Sequence, residues 1–268
     1  PRPTPSMSRR TEQALILQRV PYGESSLVVR ALTRNDGPVH LLARGAHRAK
    51  SAFAWTLDLF DELELTYRKP RGGGLATLEK GTVLLRRAAL PKNLAAYKAA
   101  LCGLELCDMV ARPGVNEHKL YEFLSQLLGD LNQSGAEAPD DALLARFEAQ
   151  LLGDLGLFPA TNTCAECAGD APAYLAQEDE AGPRVPFSAE AGGRLCETCA
   201  LAAKKAGRKV GTLPHRNLAG LERALGGEIH QDRKLAQAVH AIAARFLDFH
   251  LGVLPRTHRQ FASPAAHR

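Results

Sequence analysis

Between residues 11 and 85, short β-prone apolar runs are separated by turn-forming residues. A period of two marks a strand with one buried face. The clearest case is Asp61-Glu62-Leu63-Glu64-Leu65-Thr66-Tyr67. Residues 11–17, 26–32 and 39–45 read as further strands, and 75–85 as a fifth. Pro21-Tyr22-Gly23 and Asn35-Asp36-Gly37-Pro38 supply turns, because Asp-Gly readily takes positive φ. Arg71-Gly72-Gly73-Gly74 reads as a flexible loop. Five short strands in so little chain favour a small closed barrel over a flat sheet, since closure removes exposed edges.

From Pro91 the period becomes helical. Leu94, Tyr97, Leu101, Leu104 and Val110 share one face of a helix that Pro113-Gly114 stops. Asn116 can cap the next, whose stripe is Leu120, Phe123, Leu124, Leu127 and Leu128. Pro139-Asp140-Asp141 opens a third, with the carboxylates at the positive end of its dipole. Its apolar positions are Leu143, Leu144, Phe147, Leu151 and Leu152, and Gly156 and Pro159 end it. Shorter helices are expected at 201–206 and 217–225. A long amphipathic one follows at 232–250, with Leu235, Val239, Ile242, Phe246 and Phe249 inward. The fold class is therefore α+β. A five-stranded barrel, of oligonucleotide/oligosaccharide-binding (OB) or SH3-like type, occupies residues 1–88. A helical domain takes 89–160 and 200–268, and a cysteine-bearing insertion takes 161–199, with an exposed hairpin tip near 177–182.

That insertion holds the most specific chemistry. Cys164 and Cys167 form one C-x-x-C pair and Cys196 and Cys199 a second, with 28 residues between them. Two such pairs can converge on one ion at about 2.3 Å per sulfur, completing the closed tetrahedron of a structural Zn²⁺ site. Thr161-Asn162-Thr163 and Ala191-Gly192-Gly193 precede the pairs and suit knuckles whose backbone amides point at the thiolates. Four thiolates leave no position for water, so one zinc ion is expected to build shape rather than perform a reaction. Disulfides fit less well, because no apolar signal segment is seen. A redox C-x-x-C would need a helix N-terminus beside a βαβ unit. Cys102 and Cys107 read as small core residues.

Charge is segregated along the chain. Residues 1–100 hold 17 Lys or Arg against 8 Asp or Glu, residues 101–203 hold 5 against 17, and residues 204–268 hold 12 against 4. Basic ends attract polyanions, whereas an acidic middle repels a phosphate backbone. The densest basic stretch runs from Arg44 through His47 and Arg48 to Lys50. Arg19, Arg30 and Arg34 can extend its face, and Arg86, Arg87, Lys92 and Lys98 can carry it into the first helix. Lys204, Lys205, Arg208 and Lys209 form a second cluster after the cysteines. Phe53 and Trp55 could stack on bases, but core positions are the expectation for both.

Catalysis finds little support. There is no G-x-x-x-x-G-K-[ST] phosphate cradle, no H-E-x-x-H, and no deaminase signature. The histidines are scattered without a nucleophile in register. No run is long and apolar enough to span a bilayer. The proline-rich opening, residues 1–6, reads as a disordered leader, and a reducing, cytoplasmic setting is expected. Two classes stay in view, a DNA-binding protein and a zinc-containing RNA-binding factor with an OB barrel.

The order of these features resembles one family. Pro-Tyr-Gly-Glu-Ser at 21–25 is followed by Leu32-Thr33-Arg34, Gly37 and Ala43-Arg44-Gly45-Ala46-His47-Arg48-Ala49-Lys50-Ser51. Phe147-Glu148, Leu151-Leu152 and Leu155-Gly156 then lead into the cysteines. This is similar to the RecO family of recombination mediators, in its zinc-bearing branch. The resemblance implies an OB barrel, a helical bundle and a four-cysteine metal site. It implies binding to single- and double-stranded DNA, strand annealing, and no enzymatic activity. It also implies partnership with RecR and single-stranded DNA-binding protein, through which RecA loads onto coated strands. Ala168 stands where many relatives carry Gly.

Overall fold

The computed structural model describes residues 8–48, 50–53, 55–70, 74–133, 140–171, 182–252 and 256–258. The opening at 1–6, the loop at 71–73 and the tip at 177–181 lie outside the described residues. The chain forms two compact units, Pro1–Gln133 and Ser134–Arg268.

The first unit is built on five strands, β1 (Ser8–Tyr22), β2 (Ser26–Thr33), β3 (Gly37–Ala43), β4 (Glu62–Lys69) and β5 (Ala76–Leu85). They close into a barrel of order β1-β2-β3-β5-β4, antiparallel except for β3 against β5. This is the expected OB-like sheet. The period-two alternation has the expected result, with Leu63, Leu65 and Tyr67 all fully buried in the barrel core. β1 runs much longer than residues 11–17. It pairs with β4 from Ser8 to Leu15 and with β2 from Ala14 to Tyr22, and its register shifts between Ile16 and Gln18. A strand that serves two neighbours in turn must bend, and an irregularity supplies the bend.

A 3₁₀ turn, Leu90–Lys92, leads to α1 (Leu94–Val110) and then α2 (His118–Gln133). The Asn93 side chain caps α1 by accepting from the backbone N–H groups of Ala95 and Ala96. Asn116 accepts from His118 N at 3.0 Å, the expected cap of α2. The buried face of α1 follows the predicted leucine stripe only in part. Ala96, Ala99, Ala100, Cys102, Gly103 and Cys107 line it, together with Leu106 and with Leu104 of the predicted stripe, while Leu94 is 67% exposed. Small residues let α2 come close, and a Cβ on Gly103 would sit 2.6 Å from Leu127 Cδ2.

The second unit contains α3 (Asp140–Asp154), β6 (Arg184–Ser188), β7 (Gly193–Arg194), α4 (Glu197–Lys205), β8 (Gly211–Pro214), α5 (His215–Leu225) and α6 (Arg233–Leu251). The sheet β7-β6-β8 leaves no mark in the sequence pattern, because its strands are too short to show a period. α3 packs with α5 and α6. On α6, Val239, Ile242 and Phe246 are buried as expected, but Phe249 is half-exposed. Among the described residues, no helix is long and apolar enough to cross a membrane.

Glu148 of α3 is fully buried and holds two buried imidazoles. Its carboxylate oxygens lie 2.8 Å from His240 Nδ1 and 2.5 Å from His258 Nε2. Burial pushes the Glu148 carboxyl up, but the two imidazoles outweigh that and hold it at about 2. An unfolded glutamate titrates near ~4.3, so this contribution is full above that value and is lost as pH falls toward the folded one. Burial lowers His240, yet the Glu148 charge raises it overall. Its contribution is full below the ordinary histidine value of ~6.5 and is lost as pH rises through the raised one. The cluster is therefore strongest between ~4.3 and ~6.5. Replacing Glu148 with Gln is expected to cost about 3–5 kcal/mol, the range for breaking a buried charged pair. It should also flatten the acid limb of stability against pH in chemical denaturation. An unchanged acid limb would remove Glu148 from this account.

Candidate metal centre and nucleic-acid interface

The four cysteines converge. Their Sγ atoms all lie within 4.8 Å of one another, and Cys167 and Cys196 are 4.0 Å apart. Sulfurs at about 2.3 Å from one tetrahedral ion would stand about 3.8 Å apart. The set therefore fits a metal ion in both geometry and chemistry.

Local structure explains the convergence. The first pair sits in a turn closed by Cys164 N donating to Gly169 O at 2.9 Å and Ala168 N donating to Cys164 O at 2.8 Å. The second pair opens α4, with Cys196 at its N-cap. Burial pushes the Cys164 thiol up, but the backbone amides of Cys196, Cys167 and Glu166 donate to it and lower it to about 6. Cys199, facing the Cys196 sulfur, is pushed up to about 12. The knuckle amides thus stabilise negative charge on the Cys164 sulfur.

Surrounding contacts hold the two knuckles together. Ala160 N donates to Gly192 O at 3.0 Å and Arg194 N donates to Ala160 O at 2.8 Å. Gly193, at φ 141°, makes this approach possible, since a Cβ there would collide with the Ala160 backbone. Buried Arg194 donates to Thr161 O at 3.1 Å. Thr161 and Asn162 both donate to Glu222 of α5. Glu166, inside the first C-x-x-C, pairs with Arg208. Ala168 takes φ 56°, in the left-handed region where glycine is at ease and a Cβ is strained.

The fourteen basic residues expected to meet nucleic acid divide into two groups. Six are engaged within the protein. Arg19 donates to Leu57 O at 3.0 Å and pairs with Asp58. Arg30 pairs with Asp108 of α1 at 2.8 Å, and Arg34 with Glu122 of α2 at 2.8 Å. Arg86 donates to Trp55 O at 2.8 Å and lies near Asp58 and Asp61. Arg87, expected on the binding face, is instead buried, donating to Phe60 O at 2.6 Å and Ser125 Oγ at 3.1 Å. Arg208 is held by Glu166. The other eight, Arg44, His47, Arg48, Lys50, Lys92, Lys204, Lys205 and Lys209, are exposed. Arg44, Arg48 and Lys50 make no ion pair among the described residues.

The loop from residue 44 to 61 brings the free cations together. His47 N donates to Ser25 O at 2.9 Å and Gly45 N to Ser26 Oγ at 3.4 Å, so the loop begins against the β1–β2 turn. Phe53 packs on the barrel core as expected. Trp55 does not. It is 80% exposed, against the expectation of a core position. Tyr22, at the end of β1, is also largely exposed, and nothing in its sequence context marks it out.

Residues 7–85 match the family described as Recombination protein O N terminal, and residues 91–260 match Recombination protein O C terminal. The chain belongs to the RecO family. The DNA repair protein RecO of Myxococcus xanthus (strain DK1622) is 32% identical over 248 residues, covering 92% of this chain and 94% of that protein. That of Anaeromyxobacter sp. (strain Fw109-5) is 32% identical over 246 residues, covering 89% and 90%. That of Listeria monocytogenes serotype 4b (strain CLIP80459) is 30% identical over 190 residues, covering 70% and 67%. The N-terminal RecO match ends with β5, and the C-terminal match runs from the 3₁₀ turn past α6, including all four cysteines.

In this RecO chain, Ala168→Gly should relieve about 1 kcal/mol of left-handed strain. The expected outcome is a higher melting temperature of the metal-loaded protein in calorimetry. An unchanged or lower one would show that the knuckle carries no such strain.

Proposed function

We propose that this chain is a recombination mediator in DNA repair. It binds single- and double-stranded DNA and anneals complementary strands. With RecR, it helps RecA load onto single strands coated by single-stranded DNA-binding protein. The family and the names of its relatives support repair and recombination, and favour DNA over RNA as the ligand. The observation that carries DNA binding is the loop cluster Arg44, Arg48 and Lys50, whose charges no carboxylate among the described residues neutralises. Such cations gain affinity by releasing counterions from phosphates, without reading sequence.

The proposed binding surface comprises Arg44, His47, Arg48, Lys50 and Lys92 on the barrel unit. Lys204, Lys205 and Lys209 beside the cysteines form a second one. Six arginines, at 19, 30, 34, 86, 87 and 208, position loops and helices rather than phosphates. A basic surface on each unit suits a protein that holds two strands at once. The ion held by Cys164, Cys167, Cys196 and Cys199 is assigned as one structural Zn²⁺, which four thiolates favour and which leaves no site for a reacting water. The mediator acts by holding strands, in the cytoplasm, and performs no chemical step.

Charge reversal of Arg44 and Arg48 together should weaken single-strand binding. It should also reduce the salt slope of log K by about 1.4, at about 0.7 for each phosphate left without its cation. Strand annealing should slow in parallel. An unchanged slope would locate the surface elsewhere. Elemental analysis should find one zinc per chain, with Cys196→Ser losing the metal and unfolding more easily.

A further inference from the structure

We propose that Trp55 is a base-stacking platform that favours single strands of DNA over duplex. The inference rests on the DNA-binding reading above and names the residue that gives it strand selectivity.

Tryptophan is on average highly buried, and an indole left in water forfeits much of the gain its burial would bring. Trp55 is 80% exposed, and it is the only tryptophan in the chain. Its neighbours along the loop turn the other way. Phe53 packs on the barrel core and Leu57 is 4% exposed within it. Thr56 N donates to Phe53 O at 3.2 Å, a tight turn that leaves Trp55 outside while Phe53 and Leu57 pack inward.

The backbone beneath the indole is held firmly. Arg86 donates to the Trp55 carbonyl at 2.8 Å, and Arg86 is itself held by Asp58 and Asp61. Two residues on, Arg19 donates to the Leu57 carbonyl at 3.0 Å and pairs with Asp58 at 3.2 Å. An exposed apolar ring on a clamped backbone is preorganised, so less ordering is required when it meets a ligand.

Charge then selects the ligand. Between Asp36 and Asp58 the sequence contains no Asp or Glu, while Arg44, Arg48 and Lys50 lie in the same loop as Trp55. Asp58 and Asp61 are taken up by Arg19 and Arg86. The cations left over therefore favour a polyanionic partner and the indole one with a flat π-face, and single-stranded DNA offers both. Each base offers a stacking face regardless of sequence, whereas in duplex those faces are already covered by neighbouring pairs. The cations hold either form, and the indole adds affinity for the single strand alone.

The test uses the full chain and a short oligothymidylate, with a duplex of matched length as comparison. The fluorescence of the single tryptophan should be quenched saturably by oligothymidylate and little changed by duplex. Trp55→Ala should bind oligothymidylate about 5- to 150-fold more weakly, corresponding to 1–3 kcal/mol per stacked base, with duplex affinity retained. Trp55→Phe should keep most of the single-strand affinity. If oligothymidylate binds without quenching, or Trp55→Ala binds it as tightly as the native chain, the platform is overturned while DNA binding stands. If neither form of DNA binds even at low salt, the functional reading and the platform fall together.

Discussion

The barrel closes across a seam where β3 and β5 share only two residue pairs, Leu41 with Ala76 and Leu42 with Thr77. So short a ladder leaves apolar interior that other atoms must cover. The segment from 44 to 61 adds to that interior, packing Phe53, Leu57 and Leu59 on the core. That segment also returns the chain from β3 to β4, and among its described side chains Arg44, His47, Arg48, Lys50 and Trp55 face solvent. Arg19, Arg86 and Arg87 brace the same segment, fixing the carbonyls of Leu57, Trp55 and Phe60. Exposed cations and core packing thus come from one loop.

A comparable economy governs the second unit. The cysteine knuckles cannot meet unless the segment after α3 runs against the β6–β7 turn, and Gly193 makes that contact close. Thr161, Asn162 and Glu222 then tie the first knuckle to α5. A bound metal would therefore fix the placement of several elements, including the start of α4. Lys204 and Lys205 ride on the end of that helix, so their position depends on the sulfurs.

Much of this is legible in the chain because it repeats locally. β-Prone runs between turn residues locate the five strands, and the C-x-x-C spacing locates the metal ligands. Asn116 announces a helix start by its own chemistry. What stays hidden depends on partners far along the chain. Arg30 reads as a free cation until Asp108, distant in sequence, is seen beside it. Arg87 reads the same way until Phe60 and Ser125 surround it. The buried face of α1 is misread in part because alanine, glycine and cysteine carry little hydropathy signal yet pack most closely. Trp55 is misjudged for the opposite reason, since large apolar residues default to the interior and only the turn at Phe53–Thr56 shows otherwise.

The Glu148 cluster also bears on how the protein can be handled. One of its two imidazoles comes from α6 and the other from residue 258, beyond that helix. A shortened version ending before that histidine would strand half of an interior carboxylate without its donor. Trimming what looks like a dispensable tail would therefore loosen the centre of the helical packing, far from the cut.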